Sequence, residues 1–316
     1  MSEREAFDAA DEAWLFDAGR APAADSARIE RLLALQRRAA RPTRRSVRAR
    51  AWPLAAAALL LAALGAAWFA YSGGSGGYRV WRDGGSERLR LGERLAVGSG
   101  GARLEVPGLG HVSLEEGADF SARAGEQGQH RFFLARGTLE ATITAEPGAF
   151  GVDTPAGSSV DLGCLYRLAV DERGDTRLAV QIGRVAFTHA GSGREVYVPA
   201  GASCEAFVAR GPHSPAWDSA ALGWRELVAR LDFDPEPDAS ALAEVRSSGD
   251  TLALWHLLEA AAAPTRAAAY DRLAELEAPP AGVERALVVD TPPGSDAADA
   301  ARLAWLERMD WFTYAF

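Results

Sequence analysis

The chain reads as a mainly β exported domain, a sandwich or a β-helix-like stack of short strands, joined to N-terminal helices, one transmembrane helix and a C-terminal helical subdomain. Three observations predict this. Residues 51–71, AWPLAAAALLLAALGAAWFAY, hold no charge. From Tyr78 to about Arg210 short runs rich in Val, Phe, Leu and Thr recur between glycine-containing breaks. Beyond that the apolar residues return at three- and four-residue spacing.

The uncharged run has 21 residues, ten of them Ala and five Leu, and at about 1.5 Å per residue it covers the ~30 Å hydrocarbon core of a bilayer. Trp52, Trp68 and Tyr71 stand near its ends, where amphipathic rings favour the headgroup region. Just before it, residues 37–50 carry seven Arg and no acid. By the positive-inside rule the first 50 residues stay in the cytoplasm and the remaining 245, beyond the span, are exported. A cleaved signal peptide is the alternative, but a 50-residue leader is far longer than a normal n-region. The charge agrees with two environments: residues 1–50 hold 11 Arg against 8 acids, and residues 72–316 hold 23 Arg against 35 acids.

Within residues 1–36, Phe7, Trp14 and Leu15, then Ile29, Leu32, Leu33 and Leu35, have helical spacing on either side of a GRAPAAD break. Such a pair is too small to bury a core alone, so it calls for a partner. Residues 72–77, SGGSGG, read as a flexible tether.

Residues 78–210 supply about ten candidate strands, from ARLEV (102–106) to SCEAFV (203–208). In VDLGCLYRLAV, Leu162, Cys164, Tyr166, Leu168 and Val170 share one face by the period of two, so Cys164 points inward. Residues 211–316 hold helical patterns at 218–232, 250–263, 264–278 and 295–309, with Asp218 and Asp250 as candidate N-caps and Pro264 at a helix start. Trp305, Trp311, Phe312, Tyr314 and Phe316 near the end form either a docking patch or part of the core.

Nothing in the text reads as an enzyme. The five His are scattered, and no nucleophile elbow, zinc-protease, P-loop or dinucleotide motif occurs. Glu115 and Glu116 are adjacent on a strand and point to opposite faces, so they cannot work as an acid/base pair. The carboxylates of DFDPEPD (232–238) read as a solvated Pro-rich linker more readily than as a weak Ca²⁺ site. No cofactor, metal or direct nucleic-acid contact is expected. The Arg run belongs to topology and lipid headgroups.

The stretch from RFFLARGTLEATI to REVYVPAGASCEAF resembles the FecR domain, the family of bacterial ferric citrate regulators. The matching positions are Leu134 and Gly137, then Phe150, Val152, Thr154, Pro155, Gly157, Val160 and Gly163, then Val180, Gly183 and Val185, and finally Pro199, Ala200 and Gly201. Thr-Pro-Ala-Gly makes a tight turn between strands, Pro155 fixing φ and Gly157 accepting conformations that others resist, and QIGRV puts a Gly where a strand must bend. The resemblance implies a periplasmic β-rich sensor on a single-pass signal-transduction protein whose cytoplasmic tail, through residues such as Trp14, Leu15, Leu32 and Leu33, binds a sigma factor of the extracytoplasmic-function type as an anti-sigma factor. The tail's Glu12-Ala13-Trp14-Leu15 is similar to the family's sigma-binding helices, although the His/Cys set of zinc-containing anti-sigma domains is missing. The rival reading is a non-signalling envelope scaffold that binds protein or glycan.

Cys164 and Cys204 are the only cysteines, both in the exported half and both on predicted strands. An even count in an oxidising compartment favours a disulfide, and closing a loop of about 40 residues would contribute on the order of 3 to 4 kcal/mol. The alternative is two buried free thiols on non-adjacent strands.

Overall fold

A computed structural model describes residues 77–311, apart from 83, 126–128, 145, 235–237, 245–249, 261 and 310. The expected helical tail with Trp14, Leu15, Leu32 and Leu33, the Arg-rich segment, the transmembrane run and most of the tether lie outside these residues, as do Phe312, Tyr314 and Phe316. Among the described residues no helix is long and apolar enough to cross a membrane.

Sixteen strands come first: β1 (Gly77–Arg82), β2 (Gly85–Arg90), β3 (Arg94–Ala96), β4 (Ala102–Val106), β5 (Gly110–Leu114), β6 (Asp119–Arg123), β7 (His130–Ile143), β8 (Phe150–Asp153), β9 (Gly157–Asp161), β10 (Leu165–Val170), β11 (Thr176–Ile182), β12 (Arg184–His189), β13 (Glu195–Pro199), β14 (Ala202–Phe207), β15 (Gly211–Pro212) and β16 (Ala216–Trp217). Helices follow: α1 (Leu222–Phe233), a 3₁₀ turn (Ala239–Glu244), α2 (Thr251–Leu257), α3 (Ala263–Leu276), α4 (Arg285–Val289) and α5 (Asp296–Leu306).

The strands form two layers that share β7. Its first half, up to Arg136, pairs with β6 on one side and β8 on the other. Its second half, from Gly137, pairs with β5 and β10. One layer continues through β8, β9, β12 and β13, and the other through β10, β11 and β14 in one direction and β5, β4, β1 and β2 in the other. Every pairing is antiparallel except β7 with β8, so the β-helix-like alternative, a stack of parallel strands, does not describe it. The sandwich reading does.

Alternation dictates which residues fill the space between the layers. ARLEV shows it directly: Ala102, Leu104 and Val106 are buried, Arg103 and Glu105 exposed. On β7, Phe132 lies against Phe120 (ring centroids 5.2 Å apart), Phe150 (5.4 Å) and Tyr78 (4.8 Å), which joins the start of the domain to its middle. Aromatic pairs at these separations add about 0.5 to 1.5 kcal/mol each beyond the area they bury.

Gly137 marks the point where β7 passes from one layer to the other. Its φ is +88°, and a Cβ there would stand 2.5 Å from Ala118 Cα. No L side chain fits both the torsion and the space.

The helices cover the end of the sandwich rather than standing apart. β15 and β16 pair with β14, so the sheet runs on to Trp217, past the expected boundary at 210. Asp218 is therefore not a helix cap: its N–H bonds to the Gly201 carbonyl, and α1 begins after Ala221. Asp250 does precede α2, although its side chain makes no capping bond, and Pro264 lies in the first turn of α3 as expected. Ser295 caps α5, its hydroxyl accepting from Ala298 N–H.

Replacing Gly137 by Ala is expected to destabilise the domain by about 2 kcal/mol or more, because strain and overlap add. The same change at Gly92, with φ +80° and nothing within 4 Å of a new Cβ, costs about 1 kcal/mol. Thermal melts of the two variants of the full chain distinguish them.

Candidate functional site

Several of the residues that carry the family resemblance meet at two places, and both are structural joints. The first is the Thr154–Gly157 turn between β8 and β9. Thr154 N–H bonds to the Gly157 carbonyl (2.7 Å), and Gly157 N–H returns to the Thr154 carbonyl (3.2 Å). Phe150 and Val152, just before the turn, are fully buried. The turn reaches across to the other layer, where Thr176 Oγ1 on β11 bonds to Thr154 Oγ1 at 2.9 Å. Gly157 is required by space and not by torsion: a Cβ would lie 2.3 Å from the Thr188 carbonyl oxygen. Pro155 packs against Gly174 in the β10–β11 turn, where a Cβ on Gly174 would meet Pro155 Cβ at 2.7 Å.

The second joint is the approach of Gly163 to Gly183. A Cβ on Gly183, φ +80°, would fall 2.1 Å from the Gly163 carbonyl oxygen. Gly163 itself has φ +97°. This contact breaks the expected single strand VDLGCLYRLAV in two, with β9 ending at Asp161 in one layer and β10 starting at Leu165 in the other.

Beside that break lies a buried polar cluster. Asp161 is 1% exposed. Its Oδ1 accepts from Gly163 N–H (2.6 Å), and its Oδ2 has no hydrogen-bond partner. Burial pushes its carboxyl up to about 7, offset in part by the nearby Cys164 thiol and the hydrogen bond from Gly163. Cys164 Sγ donates to the Arg184 carbonyl and accepts from the Arg184 N–H (3.2 Å). Burial and the neighbouring Asp161 raise its thiol well above the ordinary value, so it is a poor nucleophile. Tyr166 is fully buried, and burial raises its phenol in the same way.

The two cysteines are free buried thiols and do not form the expected bridge. Cys204 on β14 stands opposite Leu178 of β11, and Leu178 stands opposite Leu168 of β10. Cys164 lies four residues before Leu168. Two strand spacings of about 4.8 Å and about 13 Å along the strand hold the pair well beyond the ~7 Å Cα limit for a disulfide. Cys204 Sγ donates instead to the His213 carbonyl (3.1 Å), and burial raises its thiol.

Sequence reasoning missed the contacts that dock the helices on the sandwich. Arg194, in the β12–β13 turn, donates to the Pro212 carbonyl (2.9 Å), to Ser214 Oγ (3.1 Å) and to Asp232 Oδ1 (2.6 Å). Asp232 also accepts from Ser214 N–H (2.5 Å) and Ser214 Oγ (2.9 Å). Its side chain is 0% exposed, so the first carboxylate of DFDPEPD belongs to a buried ion pair and not to a solvated linker. On α2, His256 Nδ1 donates to the Leu252 carbonyl (2.8 Å) while Nε2 accepts the Tyr197 N–H of β13 (3.0 Å). Burial lowers the imidazole to about 3, so it stays neutral, as an acceptor must.

Of the proposed docking aromatics, Trp305 is 0% and Trp311 8% exposed. Trp311 packs on Trp255 (6.2 Å) and His256 (5.8 Å), and Trp305 on Tyr270 (5.2 Å). Both are core: Trp305 faces α3 from α5, and Trp311, beyond the end of that helix, packs on α2. Glu115, paired by sequence only with its neighbour Glu116, binds Arg167 at 2.8 Å.

Asp161 holds its proton in the folded protein up to about pH 7 and loses it near pH 4 when unfolded. The stability that this carboxyl contributes is therefore fully present below about pH 4, is lost as pH rises to about 7 and is flat beyond, by up to a few kcal/mol. Asp161→Asn keeps the bond from Gly163 and is expected to remove that slope in melts of the full chain taken from pH 5 to 8. For the dock, Asp232→Ala leaves Arg194 buried and unpaired and is expected to cost about 3 to 5 kcal/mol. The double replacement Arg194→Met with Asp232→Leu loses less, which denaturant titration reads directly.

No family model and no curated protein matches the chain. Among solved structures, it is similar to two crystal structures of a candidate anti-sigma factor from Parabacteroides distasonis, at 15% and 14% identity. Each match covers 48% of this chain and 72% of the other, with a TM-score of 0.34.

Proposed function

We propose that the chain is a non-enzymatic, FecR-like regulator. It is anchored in the bacterial inner membrane by residues 51–71, carries its β domain and helical cap in the periplasm, and holds an extracytoplasmic-function sigma factor through its cytoplasmic helices. The observation that carries this reading is the role of the family pattern in the fold. Gly137 lies where β7 changes layer, Gly157 under Thr188, Gly163 against Gly183, and Thr154 on Thr176. These positions are not interchangeable surface matches, since each one is required by backbone contact or by the joining of the two layers. The 21-residue uncharged run with its Arg flank supports the topology.

A regulator of this kind works only if the outside event binds two states of the domain unequally and the tail's affinity differs between them. Burial of Trp305 and Trp311 takes two aromatics from the surface that a scaffold would use, which favours the signalling reading.

The test is affinity capture of the full-length chain from its own cells after crosslinking. Recovery of a sigma factor, lost at least ~10-fold when Leu32 and Leu33 are both changed to Asp so that charge replaces the apolar side chains offered to it, is the expected result. Capture that carries no sigma factor, or one indifferent to these residues, overturns the proposal and leaves the scaffold.

A further inference from the structure

The first strands of the sandwich present a face whose charge is opposite to that of the exported half as a whole. On β1, Tyr78 and Val80 point into the core, and Arg79 and Trp81 point out. Register sets Arg88 of β2 opposite Arg79, Ser86 opposite Trp81 and Arg90 opposite Gly77. On the other side of β1, β4 sets Glu105 opposite Arg79 and Arg103 opposite Trp81. Arg79, Arg88, Arg90 and Arg103 are all exposed, and among the described residues none of the four is in an ion pair. Glu105 is the only carboxylate that these registers put among them. By contrast Arg82 and Glu87, at alternate positions on the same strands, neutralise each other at 2.7 Å.

Trp81 sits amid this charge and is 39% exposed, one of few large apolar side chains so placed. The Arg79 guanidinium lies 5.7 Å from its ring centroid. A half-exposed indole with a ring of guanidinium groups is the combination that favours a membrane interface, the indole at headgroup level and each guanidinium on a phosphate.

The chain's connectivity brings that partner within reach. β1 begins at Gly77, six residues after the uncharged run ends at Tyr71. Six residues span at most about 20 Å, so the entry to β1, beside Arg88 and Arg90, cannot move far from the bilayer. Tethering makes contact with the surface intramolecular, and modest attraction suffices.

We propose that the outward face of β2, β1 and β4 docks on anionic phospholipid headgroups of the membrane that anchors the chain, which fixes the orientation of the sandwich on the bilayer. This rests on the single-pass reading above. Four guanidinium groups supply the charge, Trp81 enters the interface, and the acidic remainder of the domain is turned away from the surface.

Ser86→Cys places a thiol on this face, and Ala190→Cys places one in the β12–β13 turn, on an exposed position elsewhere. Cys164 and Cys204 are buried and stay unlabelled in the folded chain. The full chain is reconstituted in nanodiscs of phosphatidylglycerol with phosphatidylcholine, or of phosphatidylcholine alone, and labelled with a membrane-impermeant maleimide. Labelling of Ser86→Cys is expected to be at least ~5-fold slower with phosphatidylglycerol, and to recover in about 0.5 M salt or with Arg88→Glu and Arg103→Glu, while Ala190→Cys is indifferent to lipid. Equal rates for Ser86→Cys in the two lipids, or protection that survives charge reversal, overturn the docking. The topology is read separately: in spheroplasts the same reagent must reach Ala190→Cys from outside, and failure there refutes the single-pass reading without bearing on the nanodisc result.

Discussion

β7 is the strand on which both layers depend. Its fourteen residues are hydrogen-bonded on both edges, to β6 and β8 in one layer and to β5 and β10 in the other. A strand can serve two layers only if it bends sharply at one place without losing its ladder, and Gly137 provides that place. Ala118 closes over it so tightly that the bend cannot drift along the strand. With the crossing fixed, Phe132 falls between Phe120 and Phe150, Leu139 and Ala141 face the other half of the core, and the registers of the neighbouring strands follow.

The polar groups buried in the molecule divide into two kinds. At the dock between sandwich and helices Arg194, Asp232 and Ser214 bond to one another and His256 bonds to backbone on both sides, so directed bonds offset much of the desolvation. They also cover an edge: the N–H of Tyr197, which would otherwise be exposed at the rim of the sheet, ends on His256 Nε2. Asp161 is of the other kind, with one oxygen bonded to Gly163 and the other unsatisfied. Its neighbours Cys164 and Tyr166 are driven toward their neutral forms by burial. That makes the cluster chemically quiet, and it argues against any role for Cys164 as a nucleophile.

Alternation made the middle strands legible. ARLEV and REVYV appear as strands because a pleated strand between core and solvent shows its period in the text, while TRLAVQI, buried over its first five residues, is legible from its apolar run between turn residues. β2 and β3 were invisible for the complementary reason: in GSERLR only Leu89 is buried, and three residues at β3 are too few for any period. The break at Leu162–Cys164 was hidden because these two residues continue the spacing of Tyr166, Leu168 and Val170 in the text, although Asp161 and not Leu162 is the buried residue before the turn. Trp305 and Trp311 show the limit for aromatics, since composition gives the same count for a patch and for a core.

The sequence by itself determined the order of segments, the strand-rich middle and the helical end, and the inward direction of Cys164, because these depend on period, charge and the torsions of Gly and Pro. Its glycines marked the joints before any contact was known. Only the tertiary structure decided which residues meet. It separated Cys164 from Cys204 by placing β11 between their strands, joined Arg194 to Asp232 across thirty-eight positions, and put Arg79, Arg88 and Arg103 on one face through register. Partners at that separation are chosen by strand pairing and packing, and neither leaves a local trace in the chain.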